Sequence, residues 1–222
     1  MVMQKNALIV WGGWDGHRPQ QVAELFRELL GAEGFGVRVE TSLNAFDDLE
    51  ALKQLHLIVP VWTMGKLERQ QQANVCEAVR SAGVGIAGAH GGMCDAFRDA
   101  TEWQFMTGGQ WVAHPGNSEV TYTVRIADRG HPITAGVEDY PVRTEQYYMH
   151  VDPAVRVLAT TRFPIADGPH VPNGAVEMPV MWTKLYGVGR VFYHSVGHTE
   201  AELAAEPTRT LMRRGFQWAA RA

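Results

Sequence analysis

The sequence predicts an α/β fold built on a mainly parallel central sheet with helices on both faces. Two observations predict it. Short apolar runs alternate with helix-length amphipathic segments over roughly the first 90 residues, the pattern of successive strand–helix units. Several of those runs end in glycine-bearing loops, the punctuation expected at a sheet edge. The composition agrees: of 222 residues, 45% are apolar and 20% charged, enough to bury a sizeable core.

Taken in order, Asn6–Trp11 is an apolar run that meets Gly12-Gly13 and reads as a buried strand entering a loop. Pro19 stands at a natural first helical position. Val22, Leu25, Phe26, Leu29 and Leu30 then recur at helical spacing, which predicts an amphipathic helix over Pro19–Ala32. Phe35–Thr41 alternates as a second strand, and Asp47–Leu55 reads as a short helix. Leu57–Val61 is a third buried strand, with Pro60 expected at its end. Glu68–Ala82 is a helix closed by Gly83, and Val84–Ala89 is the fourth strand.

The second half is less regular. Ser118–Ala127, Val155–Thr160, Pro179–Lys184 and Arg190–Ser195 read as strands. A closing helix after Pro207 carries Leu211, Met212, Phe216 and Ala219 on one face. The stretches 99–117 and 128–154 read as long structured loops or excursions, a length that is usually functional or a mis-assignment. No repeat or low-complexity linker interrupts the chain, so residues 1–222 form one domain.

Charge and cysteine content exclude several functions. Lys and Arg total 20 against 24 Asp and Glu, a net of −4 without a basic block. That balance argues against a nucleic-acid or anionic-membrane partner. No apolar run approaches the ~20 residues of a membrane span, and none near the N-terminus suits a signal peptide. Two cysteines make no disulfide framework. These features predict a cytoplasmic protein with a small-molecule partner, homo-oligomerisation being left open.

Ligands of an open parallel sheet bind beyond the carboxyl ends of its strands. The loops there are Gly12-Gly13-Trp14-Asp15-Gly16-His17, Trp62-Thr63-Met64-Gly65, Gly88-Ala89-His90-Gly91-Gly92 and Gly197-His198-Thr199-Glu200. Three of these four bring a histidine to one edge: His17, His90 and His198. The segment around His90 has the form of a nucleophile elbow, but histidine stands where Ser or Cys is expected, and Cys94 lies a helical turn later. A helix N-terminus disfavours the imidazolium, and a neutral imidazole suits a base, a hydrogen-bonding electrophile or a metal ligand. The plainer reading is a histidine bonded to a neighbouring loop. Asp15 competes with His17 for capping the helix that follows, and Glu200 would orient His198 only across a turn. His114, in the long middle excursion, reads as a surface-loop residue or as a polar group on a lid. Glu145 stands beside Tyr147 and Tyr148, aromatics that serve a core more often than a sugar platform. His56 reads as structural, His131 before Pro132 as a turn, His170 as exposed loop and Cys76 as buried and inert; His150 and His194 fit no single role.

These segments, with His114-Pro115, His131-Pro132-Ile133-Thr134, Glu145-Gln146-Tyr147-Tyr148, Pro179–Trp182 and Gly189–His198, resemble the ThuA (trehalose utilization) family over residues 6 to 218. The resemblance implies a flavodoxin-like three-layer sandwich, similar to that of class I glutamine amidotransferases. In those relatives the elbow carries a catalytic Cys and a His-x-Glu follows the last strand. His90 in the Cys place speaks against glutamine amidotransfer, while His198-Thr199-Glu200 matches the His-x-Glu.

The resemblance also implies a part in the metabolism of trehalose or related disaccharides. The reading that follows is an enzyme acting on a 3-keto-glycoside or keto-sugar. A carbonyl at C3 acidifies the C2 proton, one base removes it, and a polarising group steadies the enolate. The candidate catalytic residues are His90, His198, His17 and Glu145. The candidate substrate-binding residues are Trp14, Asp15, Trp62, Thr63, His114 and Tyr147. A second version adds a divalent metal, with zinc the first choice for imidazole ligands, on His17, His90 and His198. The rival readings are a non-catalytic sugar-binding or regulatory module that has lost the nucleophilic Cys, and a hydrolase using histidine-activated water.

Overall fold

The computed structural model describes residues 4–222. Its first half follows the expected alternation: β1 (Asn6–Gly13), α1 (Pro19–Ala32), β2 (Gly36–Glu40), α2 (Leu49–Lys53), β3 (Leu57–Thr63), α3 (Arg69–Ala82) and β4 (Gly85–Ala89). The second half comprises α4 (Gly91–Cys94), α5 (Thr101–Thr107), β5 (Gly109–Ala113), β6 (Thr121–Ile126), β7 (Tyr140–Arg143), β8 (Tyr148–Val151), β9 (Arg156–Phe163), β10 (Val176–Tyr186), β11 (Gly189–His194), α6 (Glu200–Ala204) and α7 (Thr208–Ala219).

Nine strands form one sheet in the order β2-β1-β3-β4-β11-β10-β9-β6-β7. The pairs from β2 through β11 are parallel, and those from β11 onward are antiparallel. Following these directions across the sheet, only β10 and β6 run against the rest. The sheet is therefore mainly parallel, and the fold is the flavodoxin-like, glutamine amidotransferase-like sandwich.

Period-two alternation along the buried strands splits the core into two layers. Ala7 and Ile9 of β1 and Val59 of β3 face a cluster with Phe26 of α1 and Phe216 of α7. Leu8, Val10 and Ile58 face the other side, with Val75 and Val79 of α3. Phe26 and Phe216 meet edge to face at 5.0 Å, which ties the first helix to the last.

Three expectations are corrected. Pro60 lies inside β3, opposite Val10, rather than at its end. The strand tolerates it because pairing with β4 is confined to Leu57 and Ile58, so by Pro60 only one edge is paired. The stretch 99–117 is not a loop: it holds α5 and β5. The stretch 128–154 likewise holds β7 and β8. These strands are short, and β5 pairs with β8 across the 34 residues 114–147 that lie between them, so no local period announces them. The β5–β8 ribbon stands outside the main sheet and presents Trp111, His114 and Tyr147 toward the carboxyl ends of the parallel strands.

Candidate functional site

Each histidine of the sheet edge is fixed by its own local structure. His17 ends a 3-10 turn after β1 and is buried. The turn is admitted by Gly13, at φ +81°, where a Cβ would stand 2.1 Å from the Thr63 carbonyl oxygen. His17 Nδ1 is engaged by Thr63 Oγ1 at 2.9 Å, which leaves Nε2. Burial, with His90 and His198 nearby, lowers the His17 pKa to about 3, so its ring is neutral.

His90 follows β4 with φ 50° and ψ −143°, the strained geometry of an elbow. The surroundings over-determine it: its N–H donates to the His194 carbonyl at 2.8 Å, and its own carbonyl accepts from Tyr193 Oη at 3.1 Å. Its Nδ1–H donates to the Ser195 carbonyl at 2.7 Å, and its ring stacks on Tyr147 at 4.0 Å. Because a carbonyl only accepts, Nδ1 carries the proton of the neutral ring, and Nε2 presents a lone pair. That Nε2 lies 3.1 Å from Glu145 Oε2.

Glu145 sits in the β7–β8 connection, 5% exposed. Its neighbour Gln146 pins the loop, donating to Thr161 Oγ1 and the Arg162 carbonyl and accepting from the Ile165 N–H. Tyr122 Oη donates to the Glu145 carbonyl at 3.0 Å. Burial opposes the carboxylate, but His198, and His90 when it is protonated, prevail and hold its pKa well below the usual range. His198, after β11, places Nδ1 3.3 Å from Glu145 Oε1, and the carboxylate raises its pKa. A capping box of Thr199 and Glu202 starts α6 and sets where His198 stands.

One donor atom from each of His17, His90, Glu145 and His198 lies within 4.8 Å of the others. Four ligands at about 2.1 Å around a tetrahedral ion stand about 3.4 Å apart, so the set fits a divalent metal after small side-chain movements. Two imidazoles already have the outer-sphere partners that ligating histidines use, a carbonyl for His90 and a hydroxyl for His17.

Above the cluster opens a cleft of about 310 Å3. Trp14, His114, Tyr147, His17 and Glu145 line it, with Met64, Asp95, Arg98, Trp111 and Asn117. Trp14 is 47% exposed at the rim and edge-on to His17 at 4.8 Å. His114 Nδ1 lies 3.9 Å from Glu145 Oε1 without a hydrogen-bond partner. Thr63 reaches the centre through His17. Asp15 is exposed, and its carbonyl accepts from Arg18 N–H. Trp62 packs under Gly12 and Gly65 and does not line the cleft.

Glu200 does not orient His198: its Oε1 pairs with Arg18 Nη1 at 2.7 Å, and the carboxylate beside His198 is Glu145. Among the remaining histidines, His56 accepts from Asn6 N–H and His131 from Ile133 N–H. His170, expected as exposed loop, is half-buried and stacks on Tyr148 at 4.6 Å. Sequence reasoning did not single out Asp95, Arg98, Trp111 or the Ser195 carbonyl. The i,i+3 acid–base pair just past the elbow was a signal for Asp95 and Arg98; a backbone carbonyl has none.

A glutamine amidotransferase-like sandwich with three histidines and a carboxylate gathered at one edge of its sheet thus defines the class. The chain belongs to the ThuA family, described as trehalose utilisation, whose profile matches residues 6–219. No curated protein matches the sequence significantly. Among solved structures, a protein described as ThuA-like from Bacteroides uniformis ATCC 8492 is similar at TM-score 0.77 and 19% identity, covering 97% of this chain and 91% of that one. Another, from Parabacteroides merdae ATCC 43184, has TM-score 0.76 and 18% identity, covering 98% and 90%. A protein described as a GMP synthase component from Thermoplasma acidophilum has TM-score 0.59 and 12% identity, covering 98% and 94%. At these identities the likeness speaks for the fold.

Proposed function

We propose that this protein is a divalent-metal enzyme of disaccharide utilisation that acts on a 3-keto-glycoside or keto-sugar. The observation that carries the reading is the His90–Glu145 contact. With Nδ1 committed to Ser195, a neutral His90 aims a lone pair at a carboxylate oxygen 3.1 Å away. Two acceptors at that distance repel unless a cation lies between them or His90 takes a second proton. The adjoining His17 and His198 donors favour the cation.

His17, His90, His198 and Glu145 would hold the ion. Bound there, it would polarise the C3 carbonyl of the sugar and stabilise the enolate. His114, on the cleft wall with its side chain 29% exposed, is placed to take the C2 proton. The C2–H electron pair becomes the enolate double bond; its collapse expels the C1 substituent, which leaves with the bonding pair and is protonated. Return of a proton instead gives isomerisation. Trp14, exposed at the rim, offers aromatic surface for sugar C–H faces.

The test is metal analysis of untagged protein together with turnover of 3-keto-trehalose. The expected result is one zinc or similar ion per chain and turnover lost on chelation. Saturable sugar binding without turnover, metal present or absent, would instead establish the binding-module reading.

A further inference from the structure

Within that sugar cleft, one element has no part in the metal cluster. Asp95, 4% exposed, holds Arg98 by two bonds, to Nε at 2.6 Å and to Nη2 at 2.8 Å. The guanidinium lies 4.7 Å from the centre of the Trp111 ring. A bidentate carboxylate on one edge and an aromatic face beneath fix its plane. Its Nη1 has no protein acceptor among the described residues, although Arg98 is 45% exposed on the cleft wall. The floor beneath is equally held: Met64, at φ 56°, donates its N–H to the Asp95 carbonyl at 2.9 Å, and Gly65 donates to the Ala96 carbonyl at 2.7 Å.

We infer that Arg98 is a specificity residue of the cleft and that the ligand it selects is a neutral, unphosphorylated glycoside. Among the described residues Arg98 is the only Lys or Arg lining the cleft, and Asp95 already neutralises it. Its Nη1 therefore gives a directed donor to a hydroxyl or ether oxygen without adding net positive charge. A phosphate-binding wall needs the reverse, cations or helix N-termini left uncompensated. The inference rests on the sugar reading of the cleft, not on any reaction.

Calorimetric binding to the metal-loaded protein tests it. The ligands are trehalose and 3-keto-trehalose, each with and without a 6-phosphate. The neutral form is expected to bind at least about tenfold tighter than its phosphate ester. Arg98→Gln, at a half-exposed position, is expected to weaken the neutral ligand about tenfold and leave metal content unchanged. Asp95→Asn, where it folds, should narrow the preference by releasing the Arg98 charge. Equal or tighter binding of the phosphate, no sugar binding at all, or an unaltered Arg98→Gln affinity would each overturn the inference. Because turnover is not read, an enzyme that binds neutral sugar yet converts no keto-sugar would sink the proposed reaction and leave this result standing.

Discussion

His90 and Glu145 come from loops 55 residues apart and meet with Nε2 3.1 Å from Oε2, while Nδ1 of the same ring is fixed by the Ser195 carbonyl. The elbow after β4 thus sets an imidazole ring against a buried carboxylate.

Removing either partner dismantles the cluster. Glu145→Gln and His90→Ala are each expected to lower metal affinity at least about 100-fold, judged from the strength of ligating contacts relative to outer-sphere ones. Metal content after dialysis against a weak chelator reads this directly. Retention of a full equivalent by both variants would remove the proposed centre.

Thr63→Val tests the support of His17 without touching a donor. The hydroxyl bonded to His17 Nδ1 is lost and the volume kept. Outer-sphere losses of this kind cost about 10–100-fold in affinity or activity. A variant with unchanged metal affinity and turnover would show that Thr63 serves packing alone.

Gly91→Ala probes the close approach behind the same ring. A Cβ at Gly91 would lie 2.5 Å from His17 Cε1. The expected result is a destabilisation of about 1–3 kcal/mol with loss of metal, as His17 is pushed from place. A chemical denaturation midpoint equal to wild type would contradict the contact.

The thiols are bystanders. Cys94 and Cys76 are both buried, and burial pushes their pKa values up, to about 12 for Cys76. Full turnover should survive iodoacetamide on the native protein, and Cys94→Ala should lose stability rather than activity. Glu200→Gln, in an exposed pair with Arg18, should likewise keep activity within about twofold, surface charges being weakly coupled to a buried centre.

His194 sets an acid limb of stability. It is fully buried, its Nδ1 accepts from Val196 N–H, and its Nε2 meets Tyr140 Oη at 3.1 Å. Burial, then the neighbouring His90, lowers its pKa from 6.5 to about 3. The unfolded chain therefore takes up this proton first. Stability is unaffected by the group above pH 6.5 and falls as pH drops from 6.5 toward 3, by up to about 1.4 kcal/mol per pH unit. Urea midpoints across that range should show the slope, and His194→Gln should reduce it, the similarly lowered His17 keeping its own share. An equal slope in the variant would assign the acid limb elsewhere.

The sequence alone determined the parallel half of the sheet and its loops. Strands β1, β3 and β4 are apolar runs with local periods, and glycines mark where each meets the edge that carries His17 and His90. Local chemistry is enough there, because consecutive residues both form the element and bury it. The ribbon of β5 and β8 was not legible, since its short strands pair across the long stretch between them. Nor was the choice of carboxylate: His198-Thr199-Glu200 points to Glu200 by proximity in sequence, yet an Arg18 side chain takes Glu200 and the chain brings Glu145 from another loop. Only the tertiary structure decided this, because a site assembled from separate loops depends on distances in space, which leave no period in the sequence.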